Sequence, residues 1–147
     1  MIGVSACLLG VNCTYRGDAN TQEKLKALFE KGEAVAICPE VLGGLMTPRA
    51  PSEIISENPL RIQTNRGIDV TKAYLHGAQK ALAYLQRHNI TTVVLKANSP
   101  SCGIGHIYDG TFSHTLIPGD GITARILKAN GISLLSEKDL IEMEEEQ

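Results

Sequence analysis

Short apolar runs alternate with amphipathic stretches along the first part of the chain. Met1 to Ala6 and Ala34 to Ile37 are apolar and tolerate extended backbone, so each predicts a buried strand. Thr21 to Lys31, between them, has apolar residues at helical spacing and is followed by Gly32, which favours the end of a helix. Such a short strand–helix–strand unit predicts parallel strands joined by a right-handed crossover.

The same alternation continues through the rest of the chain. Thr71 to His88 predicts a long amphipathic helix, and Thr91 to Lys96 is the clearest strand because it is rich in β-branched residues. Gly121 to Ala129 predicts a further helix, and Ile132 to Leu135 predicts a last short strand. Val41 to Gln63 has several Gly and Pro residues and predicts a long loop.

These elements predict one α/β domain that spans residues 1–147. Alternating strands and helices favour an open, mostly parallel, Rossmann-like sheet with helices on both faces. An acidic helix is expected over Ser136 to Gln147. Ligands of such sheets bind beyond the carboxyl ends of the strands, so the loops after the strands are where we expect a site.

Composition and charge narrow the classes of partner. The chain is 43% hydrophobic and has a formal net charge of −2, which gives no overall attraction to nucleic acid or to an anionic membrane. No apolar stretch approaches the ~18 residues of a membrane helix. The N-terminal sequence has no basic region before its apolar residues, so we expect no signal peptide and a cytoplasmic location. We therefore expect neither a membrane nor a stable nucleic-acid partner, and the oligomeric state stays open.

Four cysteines carry the clearest chemical signal. Cys7 and Cys38 end predicted strands, Cys102 follows a third strand, and Cys13 lies in the loop after Cys7. If the strands are parallel, these thiols converge at one edge of the sheet, which favours a metal site over four small buried hydrophobic residues. Their spacing matches neither a zinc knuckle nor a ferredoxin, so zinc and an iron–sulfur cluster both stay open at this point.

Polar residues beside the cysteines are candidates for catalysis and substrate binding. Glu40 is two residues after Cys38 and is a candidate general base, or else a partner for a nearby Lys or Arg. Ser99 and Ser101 precede Cys102 and either position water or cap a turn. Arg49 and Lys96 are candidate substrate-binding cations.

Arg49 and Lys96 each have a structural alternative to substrate binding. Arg49 could instead pair with Glu53, and Lys96 could be an exposed residue at the edge of the sheet. His106 and His114 lie in a glycine-rich stretch from which either could reach the site.

Five segments together resemble the TudS-type thiouracil desulfidase family, and the resemblance covers nearly the whole chain. These segments are SACLLGVNCTYRGD, AICPEVLGGLMTPRAPSE, GIDVTKAYLHGA, LKANSPSCGIGHIYDGTF and PGDGITARILKANGI. Many relatives have an Arg–Tyr–Asp–Gly run after the second cysteine, whereas this chain has Thr14-Tyr15-Arg16-Gly17. Arg16 therefore replaces an acidic residue near the expected site, and this difference bears on substrate identity.

The resemblance implies a specific cofactor and reaction. It implies a [4Fe-4S] cluster held by three cysteines from the set Cys7, Cys13, Cys38 and Cys102. The fourth iron is open and binds the sulfur of a thiolated uracil, and water then replaces that sulfur without redox change. The family's assisting glutamate falls on Glu40, and its serine falls on Ser99 or Ser101.

The resemblance therefore predicts a desulfidase that acts on a thiolated pyrimidine as a base, nucleoside or RNA-derived fragment. Two other functions remain possible at this point. One is a metal- or cluster-binding module without turnover, and the other is a zinc-dependent hydrolase with Glu40 as its base.

Overall fold

The computed structural model of the protein describes residues 1–140. Its elements in chain order are β1 (Ile2–Ser5), a 3₁₀ helix (Ala6–Leu9), α1 (Glu23–Glu30), β2 (Ala34–Ile37), α2 (Pro39–Leu42), β3 (Ser52–Glu57), β4 (Leu60–Thr64), α3 (Thr71–Arg87), β5 (Thr92–Leu95), β6 (His106–Tyr108), β7 (Leu116–Pro118), α4 (Ile122–Ala129) and β8 (Ser133–Ser136). Among residues 1–140, no helix combines the length and the apolar character needed to cross a bilayer.

The core is a four-stranded parallel sheet in the order β2-β1-β5-β8. Alternate residues of each strand point to opposite faces, and both faces are covered. Val4 and Val94 pack with Leu25 of α1 on one face. Val93 packs with Leu127 of α4, and with α3, on the other face. The predicted α/β fold, with a parallel sheet between two helical layers, is confirmed.

Two glycines bring α2 against the backbone of α3. A Cβ atom added to Gly77 would lie 1.8 Å from the carbonyl oxygen of Pro39, and one added to Gly43 would lie 2.0 Å from that of Ala73. Neither contact leaves room for a side chain, so these glycines fix the position of α2. Since α2 carries Glu40, this packing also sets where that carboxylate lies.

The predicted loop from Val41 to Gln63 is wrong in part. It contains the end of α2 and most of an antiparallel hairpin of β3 and β4, whose register shifts between Ile54 and Ser56. Ile54 and Ile62 are buried, but the strands around them are polar and bulged, so the apolar alternation typical of a strand is weak.

A second hairpin, β6 with β7, lies within the glycine-rich stretch before α4. The predicted acidic helix is described only up to residue 140, and its remainder lies outside the described residues.

Candidate active site

The main pocket lies beyond the carboxyl ends of β1, β2 and β5, where the parallel topology predicts a site. Its volume is about 370 Å³. All four cysteines line it, and so do four of the other predicted site residues, Glu40, Arg49, Lys96 and Ser99. The convergence expected from strand-end placement is therefore what the fold produces.

Three thiols form one group, the thiol trio of Cys7, Cys13 and Cys38. Cys7 lies in the 3₁₀ helix directly after β1, Cys38 directly follows β2, and Cys13 comes from the loop after the 3₁₀ helix. The Cys13 thiol hydrogen-bonds to the other two thiols, and these bonds lower the pKa of Cys7 and of Cys38 while raising that of Cys13. Cys7 and Cys38 are thus the two thiols of the trio that most favour the thiolate.

Cys102 lies in a different environment within the same pocket. Burial raises the pKa of its thiol well above the ordinary value, and the nearby Glu40 carboxylate raises it further. Hydrogen bonds with the Ser5 and Ser101 side chains partly offset this effect, and the Cys102 thiol donates to Ser101 Oγ at 3.8 Å. All four cysteines are free thiols.

Glu40 is held by Arg49 at the wall of the pocket. Arg49 Nη2 donates to Glu40 Oε2 at 3.0 Å, and the two side chains are only 10% and 16% exposed. The alternative pairing of Arg49 with Glu53 is wrong. The Glu53 carboxylate instead accepts hydrogen bonds from the backbone N–H groups of Gly110 and Phe112, which fixes the turn between β6 and β7.

The two candidate serines have different surroundings. Ser99 lines the pocket, and its Oγ accepts hydrogen bonds from the backbone N–H groups of Ser101 and Cys102 at 3.1 and 2.6 Å. These bonds occupy both acceptor sites of the hydroxyl and leave its O–H as a donor. Ser101 is 0% exposed, and its Oγ lies 2.7 Å from Thr123 Oγ1, behind the pocket wall.

Lys96 directly follows β5 and lines the pocket, and its side chain also pairs with Glu137. Its Nζ lies 3.0 Å from Glu137 Oε1, and its backbone N–H donates to Ser5 Oγ at 3.0 Å. The second oxygen of Glu137 accepts a hydrogen bond from the Ala97 N–H. Glu137, at the start of the C-terminal helical segment, therefore contacts both Lys96 and Ala97, the two residues that follow β5.

Among the residues that line the pocket, Tyr74 and Tyr108 were not identified from the sequence. Tyr74 lines the pocket from the buried face of α3, where it has helical spacing with Ala78, and such spacing indicates a core position rather than a pocket residue. Tyr108 and His114 reach the pocket from the β6–β7 hairpin and pack edge to face at 5.7 Å. Of the two histidines expected to reach the site, His114 lines the pocket, whereas His106 is exposed and does not line it.

Comparison with known proteins gives a consistent result. The chain is 47% identical over 147 residues to the uncharacterized protein YbbK of Bacillus subtilis (strain 168), an alignment that covers 95% of this chain and 97% of YbbK. It also superposes with a TM-score of 0.88 on a solved structure of the [4Fe-4S]-dependent thiouracil desulfidase TudS. The identity to TudS is 43%, with 96% of this chain and 93% of that chain covered. The 2-thiouracil desulfurase family model matches residues 2–139. The chain therefore belongs to the 2-thiouracil desulfurase family.

Proposed function

We propose that this protein replaces the sulfur of a thiolated uracil, or of a related thiolated pyrimidine, with oxygen from water. The observation that carries the proposal is one pocket that holds four thiols, the partly buried Glu40 carboxylate and a hydroxyl donor. The chain's membership of the 2-thiouracil desulfurase family supports the same reaction. In balance, a C=S group and water give a C=O group and hydrogen sulfide, with no net oxidation.

The cysteines fit a [4Fe-4S] cluster, the cofactor named for the similar TudS structure. Thiolates are the usual protein ligands of such clusters, and every cysteine here is free and borders one space. We assign Cys7 and Cys38 as ligands because they closely follow β1 and β2 and both line the pocket, and Cys13 or Cys102 supplies the third. When bound, a cluster with an open iron supplies a soft Lewis acid for the thiocarbonyl sulfur.

The chain's own groups are assigned to the water and to the pyrimidine. The Glu40 carboxylate accepts a proton from water as the water oxygen bonds to the thiocarbonyl carbon. Ser99 has a free O–H, so it donates a hydrogen bond to water or to a ring heteroatom rather than acting as a base.

The roles assigned to Ser101, Lys96 and Arg49 are less specific. Ser101 is the second candidate hydroxyl, and it supports the site from behind the wall through Thr123. Lys96 and Arg49 are the predicted substrate-binding residues, and Lys96 lines the pocket while its Nζ contacts Glu137. The cytoplasmic location and the absence of a stable nucleic-acid partner stay predictions.

The test is anaerobic reconstitution with iron and sulfide, followed by assays with 2-thiouracil and 4-thiouracil. We expect a broad visible absorption band and release of sulfide together with uracil. A bound cluster without turnover would instead indicate a cluster-binding module. A colourless protein whose activity follows added zinc would indicate a zinc hydrolase.

A further inference from the structure

We propose that Arg49 is a positioning residue whose guanidinium holds the Glu40 carboxylate and the Cys13 loop (residues 13–17) in place against each other. The proposal rests on the proposed function, because it gives Glu40 the role of base. It departs from direct substrate binding by Arg49, and the two roles predict different kinetics.

Both terminal nitrogens of the Arg49 guanidinium are fully occupied by the protein. Its Nη2 donates to Glu40 Oε2 at 3.0 Å and to the Cys13 carbonyl oxygen at 3.1 Å. Its Nη1 donates to the Met46 carbonyl oxygen and to Thr47 Oγ1, each at 3.2 Å. Each terminal nitrogen has two hydrogens, so all four are in use and a ligand could take one only by breaking an existing bond.

The Cys13 carbonyl oxygen is the point where three segments meet. It accepts from Arg49, and the Cys38 thiol lies 4.0 Å from the same oxygen. The backbone N–H of Arg49 adds a second tie to this loop by donating to the Tyr15 carbonyl oxygen at 2.7 Å. Arg49 therefore joins the loop that carries Cys13 to the helix start that carries Glu40.

Lysine would keep the charge but not this geometry. Arginine presents a rigid planar fork, whereas an ammonium is a single nitrogen on a flexible stem. Arg49→Lys would retain at most part of the contact with Glu40 and Cys13 and would lose the simultaneous contacts of Nη1. The matched control is Arg125→Lys, because Arg125 makes a bidentate pair with Glu57 at 2.7 and 2.8 Å and does not line the pocket.

The kinetic test uses the reconstituted enzyme, with rates expressed per cluster-loaded chain. Arg49→Lys should lower kcat about 10²-fold, the effect of misplacing a reacting group, while KM stays within about twofold of wild type. In a Glu40→Gln background the same change should lower kcat less than about threefold, because the carboxylate through which Arg49 acts is gone. Arg125→Lys should leave both parameters unchanged.

A second readout needs neither cofactor nor turnover. Hydrogen exchange of the cluster-free protein, followed by mass spectrometry, should be about tenfold faster over residues 13–17 in Arg49→Lys, since one charge-assisted bond to the loop is lost. The same residues should exchange at the wild-type rate in Arg125→Lys.

Either of two results overturns the proposal. One is a rise in KM at constant kcat, which would make Arg49 a direct substrate ligand. The other is unchanged exchange over residues 13–17. If wild-type enzyme releases no sulfide at all, the proposed function fails, and the exchange measurement still decides whether Arg49 holds the loop.

Discussion

The two sides of the pocket place the same residue type in opposite environments. On one side the thiol trio shares hydrogen bonds, and these lower the pKa of Cys7 and Cys38. On the other side Cys102 is enclosed by protein, and burial raises the pKa of its thiol. The reactivity of a cysteine at a strand end thus depends on its neighbours as well as on topology, because burial raises the pKa of Cys102 more than its two serine partners lower it.

The polar groups of the pocket are also divided between the thiol trio and Cys102. Glu40 and Arg49 lie on the trio side, where α2 begins directly after Cys38. Ser99 lies on the Cys102 side, in the turn that leads into that cysteine. The proposed reaction needs both sides, so variants on each side should fail in different ways.

The largest expected effect is the loss of the cluster in single Cys→Ala variants. Cys7→Ala and Cys38→Ala should lose nearly all bound iron after reconstitution, because both thiols line the pocket just after the ends of β1 and β2 and are the assigned ligands. Of Cys13→Ala and Cys102→Ala, one should lose the cluster and the other should keep it. Iron and sulfide analysis with the visible spectrum measures this, and equal iron retention by all four variants would contradict the cluster site.

The next largest effect is expected from Glu40→Gln, which tests the trio side without removing a thiol. The amide keeps the size of the side chain but cannot accept the proton from water. We expect iron content like that of wild type and a kcat that is lower by ~10²–10⁴-fold. Sulfide release under saturating thiouracil is the measurement, and undiminished turnover would reduce Glu40 to a partner of Arg49.

Variants of Ser99 and Ser101 test the Cys102 side of the pocket. Ser99→Ala removes a hydroxyl that lines the pocket, and we expect kcat to fall about tenfold with cluster binding retained. Ser101→Ala leaves the buried Thr123 hydroxyl without this partner and should cost about 1–3 kcal/mol of stability with a smaller effect on kcat. Paired thermal melts and turnover assays test this, and the reverse pattern would make Ser101 the catalytic hydroxyl.

The smallest effect is expected far from the pocket, at the Glu57–Arg125 pair. Its hydrogen bond with Arg125 lowers the pKa of Glu57, so the pair stabilises the fold above the ordinary pKa of a glutamate. That stability is lost as the pH falls through the lowered folded-state pKa. Since Glu57 is 58% exposed, the loss should stay below about 1 kcal/mol. Acid unfolding curves of wild type and Glu57→Gln should differ only slightly, and a larger difference would show that this pair is not merely a surface contact.

The parallel topology made much of the site predictable. Cys7 and Cys38 end strands in the sequence pattern, and the parallel sheet brings those ends together. The same reasoning placed Lys96 and Ser99 at the pocket, because both follow β5.

Contacts between loops could not be predicted in the same way. The sequence does not reveal that Arg49 bonds to Glu40 rather than to Glu53, because no periodic pattern relates two irregular segments. Nor does it show that Ser101 faces Thr123, since the direction of a side chain in a turn depends on the helix packed behind it.

The central claim is that water supplies the oxygen that replaces sulfur in this pocket. The most direct measurement is turnover of thiouracil by the reconstituted protein in oxygen-18 water under anaerobic conditions, with mass analysis of the pyrimidine and a parallel sulfide assay. We expect uracil that carries the heavy oxygen, formed together with an equal amount of sulfide. Unlabelled uracil, or loss of thiouracil without sulfide, would contradict it.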